Sequence, residues 1–122
     1  MRMWLVPQHL LCRQHFLGYH RELHTMWRSI ELGKHHLIRG HTKLNQIDVS
    51  KILSEHEECE REMLRRGYNH QSPMPEHSQD VIQAFIDVNG VVPVDVEYSL
   101  KDLRERCPEC RKLQEANGVV RK

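Results

Sequence analysis

Hydrophobic and polar positions along this chain repeat with a helical period over two long segments. From about Leu11 to Leu32, at about 100° per residue, Phe16, Tyr19, Leu23, Met26, Trp27 and Ile30 fall on one side of a helix. Gln14, Gly18, Arg21, Thr25 and Arg28 fall on the other, flanked by His15 and Glu22. The apolar side is core. The polar side carries a glycine that costs about 1 kcal/mol relative to alanine inside a helix, so a use for the space above Gly18 is expected.

Gly33 ends this helix, and residues 34–43 read as a basic connection whose Lys34, Arg39, His41 and Lys43 can meet phosphates. A second helix is predicted from about Val49 to Arg66, with Val49, Ile52, Leu53, Met63 and Leu64 on one side. Asp48 can cap it, Arg65 and Arg66 suit the negative end of its dipole, and Gly67 follows its last turn. Pro73 and Pro75 mark a loop; a short helix around Val81 to Val88 closes at Asn89-Gly90, and Val91 to Val94 is extended. Ser99 with Asp102 three residues on predicts a capping-box start for a third helix, broken or restarted at Pro108. The expectation is a mainly all-α fold: one compact domain over residues 1–122, with about three principal helices and long loops.

Composition narrows the class. A chain of 122 residues with 39% hydrophobic and 29% charged residues suits one packed domain and is too short for two. No apolar run exceeds Met3 to Val6, so neither a membrane span nor a secretory signal core is predicted, and a cytoplasmic location is expected. The four cysteines then read as reduced thiols. Charge is polarised: residues 1–51 hold eight Lys/Arg against three Asp/Glu, a net +5, and residues 52–122 hold ten against fourteen, a net −4. Seven of the ten histidines also lie in the first 51 residues, and a polyanion would raise their pKa. A phosphate-bearing partner is the reading this polarity favours over a merely solvated basic face.

Two constellations carry candidate chemistry. Cys107-Pro108-Glu109-Cys110 is a CxxC, and His56 with Cys59 makes an HxxC on one helix side. Together they form a possible tetrahedral zinc set, weighed against a buried histidine and thiols acting as small hydrophobes, and no metal is the preferred reading. The other is an order of residues: Arg2 near the start, Gln14-His15, then Gly18-Tyr19-His20-Arg21-Glu22-Leu23, Gly40-His41, and Leu64-Arg65-Arg66-Gly67-Tyr68-Asn69 closing a helix.

That order resembles the pyrimidine-dimer DNA glycosylase family of the phage endonuclease V type, well over residues 1–70 and poorly beyond. The resemblance implies a mostly helical domain that kinks duplex DNA, flips out a nucleotide and attacks the sugar of a damaged pyrimidine. It implies no cofactor, a monomer, damaged double-stranded DNA as partner, and a bacterial or phage-infected cell as the setting. The implied nucleophile is the α-amino group of Met1, whose reference pKa of about 7.7 to 8.0 leaves a useful neutral fraction. Glu22 matches the essential carboxylate. Arg2 and Arg21 match DNA-contacting positions, and Gln14 and His15 match the pair lining the site. A family arginine is Thr25 here, an aromatic is His20, and the aromatic tail has no counterpart, since nothing after Tyr98 is aromatic. Two alternatives stay open: a lyase or glycosylase for another lesion, and a non-catalytic DNA-binding module, zinc-stabilised or not.

Overall fold

The apolar stripe of the first segment forms α1, Arg13–Glu31, the central helix of a computed structural model that describes residues 2–42, 44, 46–69, 73–75 and 77–119. All six residues assigned to its apolar side are buried: Phe16, Tyr19, Leu23, Met26, Trp27 and Ile30. Around it the chain builds α2 (His35–Thr42), α3 (Ile52–Arg66), α4 (Ser78–Asn89), α5 (Val96–Arg106) and α6 (Pro108–Ala116). Two 3-10 turns, Gln8–Leu10 and Val49–Lys51, precede α1 and α3. Among the described residues there is no strand, and no helix is long and apolar enough to cross a membrane.

The all-α expectation holds; among the described residues there are six α-helices, where about three principal ones and a short one around Val81 to Val88 were expected. The segment expected to be a basic connection is helical as α2, because Ile38 is fully buried and the His35 ring meets Phe85 edge-on at 4.8 Å. These two positions, three apart, give a short helix an inner face, while Lys34 and Arg39 stay exposed. Leu64 is also displaced from its expected side: it is 76% exposed. The buried stripe of α3 runs through Ile52, His56, Cys59 and Met63, and Leu64 lies about 100° from Met63 around the helix.

Asp48 Oδ1 accepts from the Ser50 N–H at 3.1 Å and so caps the 3-10 turn that leads into α3, and α3 ends at Gly67, whose φ of 78° is the left-handed conformation that closes a helix. The Tyr68 N–H then reaches back to the Met63 carbonyl at 2.8 Å. Arg66 does more than face the helix dipole. It bonds to Glu62 at 2.8 Å, donates to the carbonyls of Gln8 and Leu11 at 3.0 and 2.7 Å, and covers the Phe16 ring at 4.4 Å. One arginine thereby satisfies the end of the first 3-10 turn and locks α3 to it.

α5 starts earlier than the Ser99 capping box predicts. Asp95 Oδ1 accepts from the Tyr98 N–H at 3.1 Å, so the helix opens at Val96 and Ser99 is buried inside it. Pro108 does restart the chain, as the first residue of α6. α2, α3 and α4 pack on α1, whereas α5 and α6 pack on each other with α6 laid on the Gln8–Leu10 turn. The second half of the chain thereby returns to the start of the first.

Candidate active site

The polar side of α1 is one wall of an open cavity of about 400 Å³ lined by Arg2, Trp4, Gln14, His15, Gly18, Tyr19, Arg21 and Glu22. Helical spacing accounts for the wall: residues 14, 15, 18, 21 and 22 are separated by one, three or four positions, so their side chains rise from adjacent turns. Gly18 sits among them with open space above it, since a Cβ built there meets nothing within 4 Å. The missing side chain is therefore not required by the packing of this chain. It widens the cavity beside Glu22.

The opposite wall comes from the N-terminal segment. Met3 is fully buried and its N–H bonds to the Gln46 carbonyl at 2.7 Å, which fixes the strand-like run on which Arg2 and Trp4 stand. Leu5, next to Trp4, adopts φ 54°, a conformation that costs a non-glycine residue about 1–2 kcal/mol. Arg2 lies 4.1 Å above the Trp4 ring and bonds through Nη1 to Asp102 Oδ2 at 2.6 Å. Its guanidinium also faces the Tyr98 ring at 5.5 Å.

Arg2, Gln14, His15, Gly18, Arg21 and Glu22 are thus brought together, as their place in the sequence led us to expect. Lys34, Arg39 and His41 line no part of this cavity. Lys34 stands at the far end of α1 in a shallow groove with His24, Arg28 and Leu37, and His41 Nδ1 meets Gln46 Oε1 at 2.9 Å. Met1 and Lys43 lie outside the described residues. Sequence reasoning missed Trp4 and Tyr98. Trp4 belongs to an apolar run that reads as core, and Tyr98 reads only as a residue of a remote helix; the arginine they flank was the available clue.

Behind the cavity the Tyr19 hydroxyl donates to Glu55 Oε1 at 2.9 Å. Burial, then the Glu55 charge, push the Tyr19 phenol far above its ordinary value, so it is a fixed donor. Burial likewise raises the Glu55 carboxyl, against the opposing hydrogen bonds from Tyr19 and Gln8.

The His56, Cys59, Cys107 and Cys110 set, weighed as the less favoured alternative to no metal, is not brought together. His56 and Cys59 lie on α3, and the fold returns Cys107 and Cys110 to the start of α1 instead, where they meet Cys12 and His15. His56 Nε2 faces His24 Nε2 at 3.1 Å, and His24 faces His20 at 3.2 Å, so three imidazoles meet between α1 and α3. Cys59 is buried and its thiol is pushed up to about 12, mainly by burial and then by the Glu55 charge. The CxxC partner that sequence reading overlooked is the Cys12-x-x-His15 pair, because His15 had already been assigned to the cavity.

A family model described as pyrimidine dimer DNA glycosylase matches residues 1–76, the stretch that supplies every side chain of the cavity. No curated protein and no solved structure matches the chain.

Proposed function

The chain belongs to the pyrimidine dimer DNA glycosylase family, a family of DNA repair enzymes, and from that premise we propose that it excises damaged pyrimidines from duplex DNA and cleaves the resulting abasic strand. The α-amino group of Met1 attacks C1′ of the flipped nucleotide, the base departs with the glycosidic electron pair, and a Schiff base to the opened sugar remains. Loss of a C2′ proton then expels the 3′ phosphate by β-elimination, and water releases the amine. Glu22 balances the positive charge that develops on the sugar and carries the protons that elimination moves. Arg21 holds backbone phosphate, and Gln14 and His15 orient the sugar.

The observation that carries this reading is the convergence of Arg2, Gln14, His15, Arg21 and Glu22 on one open cavity beside a residue with no side chain. A binding module without turnover needs the cations but has no use for a carboxylate among them, since Glu22 repels the phosphates that Arg21 attracts.

An abasic site presents a sugar with no base to remove, so Met1 and Glu22 suffice there, whereas a dimer also needs the cost of flipping to be offset. Cleavage of abasic duplex is therefore faster than cleavage of dimer-containing duplex. Borohydride trapping on both duplexes is the test: a covalent adduct mapping to Met1, abolished by acetylating the amine, is expected. An adduct on an internal lysine, or no adduct on either duplex, overturns the reading.

A further inference from the structure

Cys12 and His15 open α1; Cys107 and Cys110 form the junction between α5 and α6. Ninety-two residues separate His15 from Cys107 in the chain, yet all four ligand atoms lie within 4.8 Å of one another. The Sγ atoms of Cys12 and Cys107 are 3.8 Å apart, and His15 Nδ1 lies 3.2 Å from Cys12 Sγ and 3.6 Å from Cys110 Sγ. With Zn–S of about 2.3 Å and Zn–N of about 2.0–2.1 Å, a tetrahedron has edges of about 3.8 Å between sulfurs and about 3.5 Å between sulfur and nitrogen. The Cys12–Cys107 and His15–Cys110 separations match those edges, and His15–Cys12 is shorter by about 0.3 Å.

We propose that Cys12, His15, Cys107 and Cys110 bind one structural zinc ion that fastens the C-terminal helical pair to the start of the helix bearing Glu22. The donor set favours zinc. Three sulfurs and one imidazole suit a soft, tetrahedral ion and not magnesium or calcium, and thiols this close surround a single ion, whereas an iron–sulfur cluster spreads its cysteines over several irons. Backbone N–H groups already point at the sulfurs: Cys12 N–H to Cys110 Sγ at 3.4 Å and Cys110 N–H to Cys107 Sγ at 3.5 Å. Such donors stabilise thiolates, and they hold the ligands of a metal in place. Four coordinating side chains close the shell, so the ion is structural and leaves no open position for catalysis.

The fold gives the ion a purpose. α6 buries only Cys110 and Gln114, far too little apolar surface to hold a nine-residue helix against the rest of the chain. A metal that joins its first turn to α1 supplies that attachment, in a region beyond the residues the family model matches. The same ion fixes His15 through Nδ1, so its ring presents Cε1 and Nε2 and stands edge-on to Trp4, 6.1 Å away between centroids. His15 thereby serves the cavity as a rigid wall.

The test is metal content and ligand spectroscopy of the full-length chain, purified under reducing conditions. One tightly held zinc per chain is expected at this site, and cobalt in its place should show tetrahedral visible bands with thiolate-to-cobalt charge transfer, saturating at one equivalent. Cys107→Ser and Cys110→Ser should lose the charge-transfer band, whereas His15→Cys should keep a tetrahedral spectrum with a stronger one. Cys59→Ser and His56→Ala should leave it unchanged. Metal held by His20, His24 and His56 would give no thiolate band, so that cluster cannot imitate the result. Should the serine variants fail to fold, chelation of the wild-type chain decides: its melting temperature should fall and recover when zinc is returned. Reduced, folded protein with no zinc and no thiolate band overturns the proposal. So does loss of the band in Cys59→Ser, or a Cys12–Cys107 disulfide in place of metal. None of these readouts depends on glycosylase activity.

Discussion

Arg2 and Asp102, one hundred residues apart, are joined by a hydrogen-bonded ion pair of 2.6 Å at the edge of the candidate active site. Asp102 is nearly buried and also receives Arg106 Nε at 2.8 Å, so one carboxylate answers two guanidinium groups. The pair anchors α5 to the N-terminal segment and holds Arg2 flat against Trp4. It makes the position of the cavity wall depend on a helix beyond the family-matched residues.

Asp102→Asn leaves Arg2 half-buried with a weaker acceptor. The expected loss of stability is at most about 1.5–3 kcal/mol, the range for a hydrogen bond to a charged group. A double-mutant cycle with Arg2→Met should return coupling of similar size, read from urea denaturation. Additive effects would mean that the pair contributes nothing.

Glu22→Gln keeps the shape of the cavity and removes its carboxylate. Single-turnover strand cleavage should fall by about 10² to 10⁴, the scale of general acid–base assistance, while DNA affinity holds or rises. Near-normal cleavage would remove Glu22 from the chemistry.

Gly18→Ala separates stability from function. Because a Cβ meets nothing in the chain, the variant should gain about 1 kcal/mol of helix stability, visible as a melting temperature raised by about 4 °C. If the flipped nucleotide uses that space, cleavage should drop at least about tenfold at the same time. A more stable variant with unchanged cleavage would show the space to be idle.

Glu62 is held below the ordinary carboxylate range by its hydrogen bonds to Arg65 first and Arg66 next, which outweigh its burial. A carboxyl depressed by folding contributes stability that is present above its unfolded value of about 4.5 and disappears as pH falls through the folded value. Glu62→Gln should therefore destabilise the protein at pH 7 and converge with wild type in acid. Parallel stability profiles from pH 7 to pH 3 would contradict the assignment.

Arg21 is exposed at the rim of the cavity. If it neutralises one phosphate, Arg21→Ala should lower the magnitude of the slope of log K against log salt by about 0.9. An unaltered slope would place Arg21 off the DNA.

Helical periodicity over residues 11–32 was enough to fix α1, its buried face and the wall that carries Gln14, His15, Gly18, Arg21 and Glu22, because on a single helix three- and four-residue spacing sets side-chain direction without help from the rest of the chain. The same locality made Gly67 legible as the end of α3. What the sequence left open lies between elements. In residues 34–41 the inward positions His35 and Ile38 made a helix because Phe85 and the core are there to receive them. The partners of Cys107 and Cys110 were decided by where the α5–α6 pair lands, and a CxxC pairs as readily with an HxxC on α3 as with the Cys12-x-x-His15 pair until that docking is known. The pairing of Arg2 with Asp102 and the seating of Trp4 and Tyr98 beside it belong to the same class. Local order follows from backbone geometry, whereas contacts across a hundred residues follow from the packing of whole helices, which no short stretch of sequence encodes.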